Sequence, residues 1–443
     1  MSLFSVYSKL PVFMQNGIVS LQGLIIQRRR FNSNFIQQLA RYEKQNSYEV
    51  DESQLKLFIH HATKSSFWKE RFIKFGVDID SPRLLDEIHK LPLLKKEEVR
   101  ANIDAIKLEV PGDKVIPIGT SGTSGSSLKF TQTVSMENKQ WAIWWRYRKG
   151  LGITLDTWMA WFGGKTIVSV EDTKPPFWRF NYPMKQVMFS AHHLNIDTVT
   201  EYYHQLKDSR IEWIHGYPSQ ISFLASLILE KGLTPLNNIR FITTGAENLM
   251  EHQVAVIEAA FGKKPFQHYG LAEGVANISQ VPSGKWQIDQ DFAYVELIPT
   301  DIEEDLYHIV GTNYSNLSFP LIRYHTNDLV RARKVGETIE IISIDGRKDD
   351  FITLPNGVKL GRLGFIFKNA DFVKEAQIYQ KSINSLTLRI VKNGDYNEDI
   401  HEPILIKECR ERMGNEINIS FEYLDKIPRT SAGKFRYVVS EVK

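Results

Sequence analysis

The sequence predicts an α/β protein, with a large N-terminal domain of βαβ sheets and a β-rich subdomain followed by a small α+β C-terminal domain. Three observations predict it. Between about 115 and 270, short β-rich runs alternate with longer helical ones, the rhythm of a parallel sheet with helices on its faces. From about 275 to 345, short β runs with turn signals such as Pro282-Ser-Gly284 suggest an antiparallel subdomain. Beyond Asp345, β-like runs at Glu375 to Tyr379, Ser385 to Val391 and Ile417 to Tyr423 accompany a helical stretch at 399–413. A boundary is therefore expected at 346–350, between a large domain over 1–345 and a small one over 351–443. A chain of 443 residues is also too long for one ordinary core.

The elements follow in order. Leu10 to Ile26 is apolar but interrupted by Gln15, Asn16, Ser20 and Gln22, which makes it too polar and short to span a bilayer. Arg28, Arg29 and Arg30 follow the apolar part, where a secretory signal would place its charge in front. The stretch reads as an amphipathic helix packed on the main domain, with a helix lying on an anionic membrane surface as the other reading. Helical spacing resumes at Phe31 to Tyr42 and Leu55 to Phe75, and Asp51 with Gln54 forms a capping start, so roughly the first hundred residues are helical. Ile211 to His215 is a strand, Pro218 to Lys231 a helix ended by Gly232, and Arg240 to Thr243 the next strand. Nucleotide ligands of such sheets sit at the carboxyl ends of strands, and the loops at Thr243 and His268 fall there.

With 42% hydrophobic and 24% charged residues the chain is globular rather than disordered. A formal charge of +3 gives no support to nucleic-acid binding. The single cysteine, Cys409, excludes an internal disulfide and a Cys-rich zinc site, and fits a reducing, cytoplasmic compartment.

Six motifs carry the chemistry. The segment Ile118-Gly-Thr-Ser-Gly-Thr-Ser-Gly-Ser-Ser-Leu-Lys129 interleaves glycines, which turn backbone N–H groups towards one anion, with hydroxyl donors and a terminal cation. It lacks the Gly-Lys-Ser/Thr of a Walker loop. Downstream come Thr243-Thr-Gly-Ala-Glu247, His268-Tyr-Gly-Leu-Ala-Glu273, Pro320-Leu-Ile-Arg-Tyr-His-Thr-Asn-Asp328, Asp345-Gly-Arg-Lys-Asp-Asp350 and Pro428-Arg-Thr-Ser-Ala-Gly-Lys434. In this order and spacing the series resembles the adenylate-forming (AMP-binding) superfamily. Within it, the chain is similar to the phenylacetate-CoA ligase branch and most like the CapK-like capsular polysaccharide biosynthesis proteins, from roughly residue 10 to the C-terminus.

The resemblance implies an ATP-dependent ligase that joins a carboxylate to AMP, releases pyrophosphate and passes the acyl group to an acceptor. It implies that Thr120, Ser121, Gly122, Thr123, Ser124 and Gly125 hold the leaving phosphates. Gly245 and Ala246 would lie beneath adenine, with Glu247 bounding the acyl pocket. Tyr269, flanked by His268 and Gly270, would lie against adenine, and Glu273 would be the carboxylate associated with Mg2+. Asp328 would accept from both ribose hydroxyls and Arg347 would make a second ribose or phosphate contact. Lys434 would bridge the substrate carboxylate and the α-phosphate from a mobile small domain that turns about Asp349. Three positions depart from the pattern: Leu128 replaces a common proline, His325 an arginine and Asn327 a glycine, whose left-handed conformation asparagine tolerates. His215 or Tyr217 could touch the substrate. The adjacent His192 and His193 read as ordinary placements rather than a metal site.

The acceptor implied is CoA, another thiol or an amine, and the CapK-like resemblance favours surface polysaccharide (capsule or lipopolysaccharide) biosynthesis. An aryl-CoA ligase of aromatic catabolism is the rival, with the aromatic run Trp141 to Trp161 as its candidate pocket. A non-catalytic nucleotide- or glycan-binding protein on a ligase fold is the reading of another class. The partners expected are a small carboxylic acid and its acceptor, no nucleic acid, and peripheral membrane contact through the N-terminal helix. A dimer is allowed.

Overall fold

The computed structural model describes residues 3–45, 48–119, 128–301, 303–336, 338–347, 352–355, 359–360, 363–367, 370, 372–430 and 433–442. Thr120, Ser121, Gly122, Thr123, Ser124, Gly125 and Asp349 lie outside the described residues, and of the Arg347 side chain nothing is described. The chain divides into two compact units, one of residues 1–24, 155–267 and 346–443, the other of 25–154 and 268–345.

The first unit holds a sheet whose strands run in the order Phe241–Gly245, Ile211–Gly216, Trp158–Phe162, Gln186–Phe189 and Trp178–Asn181. The first four are mutually parallel and the last is an antiparallel edge. Residues such as Ile214, Ile242 and Phe162 are fully covered because helices pack on the sheet, chiefly the helix Pro218–Glu230, buried almost all round. Proline at its first turn fits the helix start, where its missing N–H costs nothing. The small C-terminal part carries a second sheet in the order Asn418–Tyr423, Ser385–Lys392, Val373–Ser382 and Val438–Ser440, covered by the helix Glu398–Met413. Its core joins Ile378, Leu388 and Ile390 to Leu405 and Cys409.

The edge strand Trp178–Asn181 is covered by the helix Val12–Arg30. The Phe180 N–H donates to Asn16 Oδ1 at 3.0 Å, Ser20 Oγ donates to the Phe180 carbonyl at 3.2 Å, and Arg179 Nε donates to Gln15 Oε1 at 2.6 Å. Gly23 permits this approach, because a Cβ there would sit 1.9 Å from Asn181 Oδ1. Three of the polar residues that interrupt the apolar sequence, Gln15, Asn16 and Ser20, therefore form the packed face, and the fourth, Gln22, is exposed. The helix expected from the sequence is present, but its apolar side is the one left outside. No helix among the described residues is long and apolar enough to cross a membrane.

The second unit opens with helices Ser33–Gln45, Glu52–Ala62 and Ser66–Lys74. Asp51 accepts from the Gln54 N–H at 3.0 Å, the cap that the sequence suggested. Its core gathers Trp68, Phe58, Phe130, Phe319 and Leu128, the last fully buried, so the residue replacing proline acts as an anchor. Strands Val115–Gly119 and Lys129–Thr133 pair antiparallel with Gly119 opposite Lys129, which fixes both ends of the Gly/Ser/Thr segment. The antiparallel expectation holds from Tyr294 on, with strands Tyr294–Pro299, Leu306–Thr312, Tyr324–Val335 and Thr338–Arg347 in sequence order, whereas the hairpin of Asn277–Gln280 and Trp286–Ile288 around Pro282 pairs antiparallel with Phe266–Gly270 in another sheet.

Candidate active site

The first unit carries Gly245, Ala246, Glu247 and Lys434. Gly245 ends the strand Phe241–Gly245, and Ala246 follows it with φ of +68°, a left-handed conformation that costs an L-residue roughly 1–2 kcal/mol. Such strain persists only where surrounding contacts impose it. Here the next residue, Glu247, is enclosed: one carboxylate oxygen accepts from the Ser219 N–H at 3.2 Å and the other from the Phe435 N–H. Burial pushes its carboxyl above the usual range, while the two N–H donors pull the other way.

Phe435 follows Lys434, so Glu247 holds the lysine loop by its backbone. The loop is tight in itself. The Thr430 N–H donates to the Lys434 carbonyl at 2.9 Å, and the Lys434 N–H to Thr430 Oγ1 at 3.1 Å. Gly433 takes φ of +74°, and a Cβ on it would meet Gly164 Cα at 2.5 Å, so both conformation and clearance demand glycine. A pocket beside this loop is lined by Gly163, Gly164, Lys165, His192, Lys426 and Arg429 among others. Lys426 Nζ donates to the Ala191 carbonyl at 2.8 Å, and Arg429 pairs with the buried Glu375. His215 Nδ1 lies 2.8 Å from Thr243 Oγ1, which also accepts from Trp213 Nε1 at 2.8 Å. His215 is thus turned onto the strand, whereas the burial-raised Tyr217 phenol senses the Glu247 charge.

The second unit carries His268, Tyr269, Gly270, Glu273 and Asp328. Tyr269 OH donates to Asp328 Oδ2 at 2.7 Å, which joins two motifs 59 residues apart. Desolvation, then the Asp328 carboxylate, raises the Tyr269 phenol, and Glu273 adds to it. Tyr324 is likewise raised by burial and by Glu273 and Asp328, so both carboxylates act on one neighbourhood. Glu273 is 7% exposed, and its carbonyl accepts from Asn313 Nδ2 at 3.0 Å. Asn327 adopts φ of +63°, the glycine-like turn that asparagine was expected to allow. His325 Nδ1 sits 3.0 Å from Asn327 Oδ1 within that turn.

His268 does not project freely. Its Nε2 lies 2.7 Å from Asn277 Oδ1, which also accepts from Trp144 Nε1 at 3.0 Å. The Asn277 amide donates to Asp289, so its oxygen faces the two rings and His268 Nε2 is the donor. Burial brings the imidazole down to about 4. Arg146, clamped between Asp289 and Asp291 and lying 4.1 Å from the centre of the Tyr48 ring, closes the network. Asn277 and Arg146 were not singled out in the sequence, and Trp144 entered only within the aromatic run Trp141 to Trp161. The pairing of Gly270 with Asn277 across the hairpin and the bonds of Asn277 to Trp144 and Asp289 bring them to His268. The aromatic run from Trp141 contributes core and this clamp.

No group of three or more His, Cys, Asp or Glu residues suited to a metal ion occurs among the described residues. His193 Nδ1 instead lies 2.8 Å from Ser190 Oγ.

The architecture is that of adenylate-forming CoA ligases. A 2-hydroxyisobutyryl-CoA ligase, solved in its postadenylation state with 2-HIB-AMP, matches with a TM-score of 0.66 at 16% identity, covering 88% of both chains. An anthranilate CoA ligase with anthranoyl-AMP matches at 0.51 and 12% identity over 72% of this chain and 65% of that one. In sequence, the chain is similar to Protein CapK and to a phenylacetate-CoA ligase, as its motifs indicated. It is 26% identical to Protein CapK of Staphylococcus aureus over 450 residues, covering 99% of each protein, and residues 354–441 match the CapK C-terminal domain family. Phenylacetate-coenzyme A ligase of Pseudomonas putida is 25% identical over 317 residues, 65% of this chain and 67% of that protein.

Proposed function

We propose that the protein is an ATP-dependent ligase that activates a carboxylic acid as its acyl-adenylate and transfers the acyl group to CoA or to an amine. The observation that carries this reading is the lysine loop: a glycine required by shape, packed on Gly164, and a half-buried glutamate gripping the amide beside Lys434. A surface lysine near a C-terminus has no need of such support.

In this reading a carboxylate oxygen attacks the α-phosphorus of ATP and pyrophosphate leaves. Lys434 offsets the charge that accumulates between two anions, an effect worth most where water is excluded. Asp328 takes the ribose hydroxyls with its orientation set by Tyr269, and Arg347 adds a contact. Gly245, Ala246, His268, Tyr269 and Gly270 form the adenine surroundings. Thr120, Ser121, Gly122, Thr123, Ser124 and Gly125 cradle the leaving phosphates. Glu273 belongs to no group of three or more candidate metal ligands among the described residues, so the donor set fits a Mg2+ ion that arrives with the nucleotide and takes most of its oxygens from phosphate and water. The domain assignment proposed is 1–345, a hinge at 346–350 containing Asp349, and a lid over 351–443, which the match over 354–441 supports.

CoA as acceptor is supported by the fold and by the name of the Pseudomonas relative. A role in surface polysaccharide synthesis is supported by the CapK name alone. The lone cysteine is in keeping with a cytoplasmic location.

The test is acid-dependent ATP–pyrophosphate exchange across pools of aryl, amino, hydroxy and uronic acids. Exchange is expected in one pool, reduced about 100- to 1000-fold by Lys434→Ala. Exchange that survives in the variant, or ATP binding without exchange in any pool, overturns the reading.

A further inference from the structure

The helix Val12–Arg30 docks through polar side chains and leaves apolar ones outside, the reverse of an ordinary docked helix. At a helical period, Gln15, Asn16, Val19, Ser20 and Gly23 share the side that faces the edge strand, and Met14, Ile18, Leu21 and Ile25 form a stripe opposite. That stripe is open: Ile18 is 45% exposed, Leu21 61% and Ile25 64%, with Phe13 beside it at 74%. The preceding helix Leu3–Tyr7 adds the exposed Phe4 and Val6. Scattered exposed apolar residues need no explanation, but a row of them at helical spacing does.

The surrounding charge indicates what covers it. No Asp or Glu occurs before Glu43, whereas Lys9, Arg28, Arg29, Arg30 and Arg41 do. Lys9 and Arg28 are exposed, and Lys165 Nζ reaches the same helix at Gln22 Oε1, 3.0 Å away. Arg29 and Arg30 share Glu137, which offsets one of those two charges. Asp172, which acts on Tyr7, is offset by Arg179. Beside the helix, the Tyr182 N–H donates to Ser20 on the packed side, and the residue is 55% exposed. An apolar row with a rim of one sign repels a second copy of itself and attracts an anionic surface.

We propose that the outer face of the N-terminal helices lies in the interface of an anionic lipid bilayer. Phe13, Ile18, Leu21 and Ile25 enter the acyl boundary, and Lys9, Arg28 and Lys165 meet headgroup phosphates. The proposal does not depend on the reaction catalysed.

The experiment is co-sedimentation of the full-length protein with phosphatidylcholine vesicles containing one quarter phosphatidylglycerol, and with phosphatidylcholine alone. Expected are binding to the anionic vesicles, at least tenfold weaker binding to the neutral ones, and about fivefold weaker binding for Arg28→Gln. Ile18→Glu with Leu21→Glu abolishes binding with an unchanged melting temperature, since both sites are exposed; should that pair unfold the protein, Ile25→Glu alone gives the same readout. Absence of binding by the unaltered protein, or equal binding by a folded apolar-face variant, overturns the proposal. So does a dimer in mass photometry that Leu21→Glu dissociates without any vesicle binding, which would give the face to a second copy.

Discussion

Glu247 and His268 show what one enclosed side chain does for each unit. Removing the Glu247 carboxylate strands two backbone N–H groups, a loss on the order of 1–3 kcal/mol. Glu247→Ala is therefore expected to slow pyrophosphate exchange about ten- to a hundredfold by loosening the lysine loop, while transfer from a supplied acyl-adenylate changes far less. Equal slowing of both half-reactions would show that Glu247 serves the fold rather than the loop. His268 makes a prediction in pH. Its imidazole stays neutral in the fold down to about 4, whereas an unfolded histidine takes up its proton near 6.5. Between those values the unfolded chain binds the extra proton, so stability falls as pH falls, by up to about 1.4 kcal/mol per pH unit. Urea denaturation at pH 7 and pH 5 should show this loss, and His268→Gln should shrink it.

At the scale of elements, most of the fold was legible because it follows local period. The strand expected at Ile211 to His215 runs Ile211–Gly216, and the helix expected at Pro218 to Lys231 runs Pro218–Glu230. What period could not give was the facing of the N-terminal helix. Its apolar residues carry little helical period, and the free N–H and C=O groups of an edge strand selected a polar side. The same holds for the candidate site. The motif residues were visible as motifs, but Asn277, Trp144 and the Glu247 to Phe435 contact depend on register and on chain segments up to 188 residues apart. Replacing Asn16 by Leu and Ser20 by Ala should destabilise the protein by about 1–3 kcal/mol per unsatisfied backbone group, read from chemical denaturation. An unchanged midpoint would mean that water replaces both side chains.

For the whole molecule, the proposed hinge divides the reaction in two. Asp349→Pro is expected to leave pyrophosphate exchange within about threefold of the unaltered protein and to slow acyl transfer at least tenfold, because proline fixes φ at the position that must turn. Parallel loss of both steps would remove Asp349 from that role. The helix over the edge strand carries a further consequence, which concerns solubility. A sheet edge with unpaired backbone groups is a template for pairing with another chain. The side chains of Asn16 and Ser20 occupy those groups on Phe180, so the N-terminal segment acts as a built-in guard against self-association. A chain shortened by its first 30 residues should therefore assemble through strand Trp178–Asn181, and a single charge or proline placed on that strand should restore it to solution.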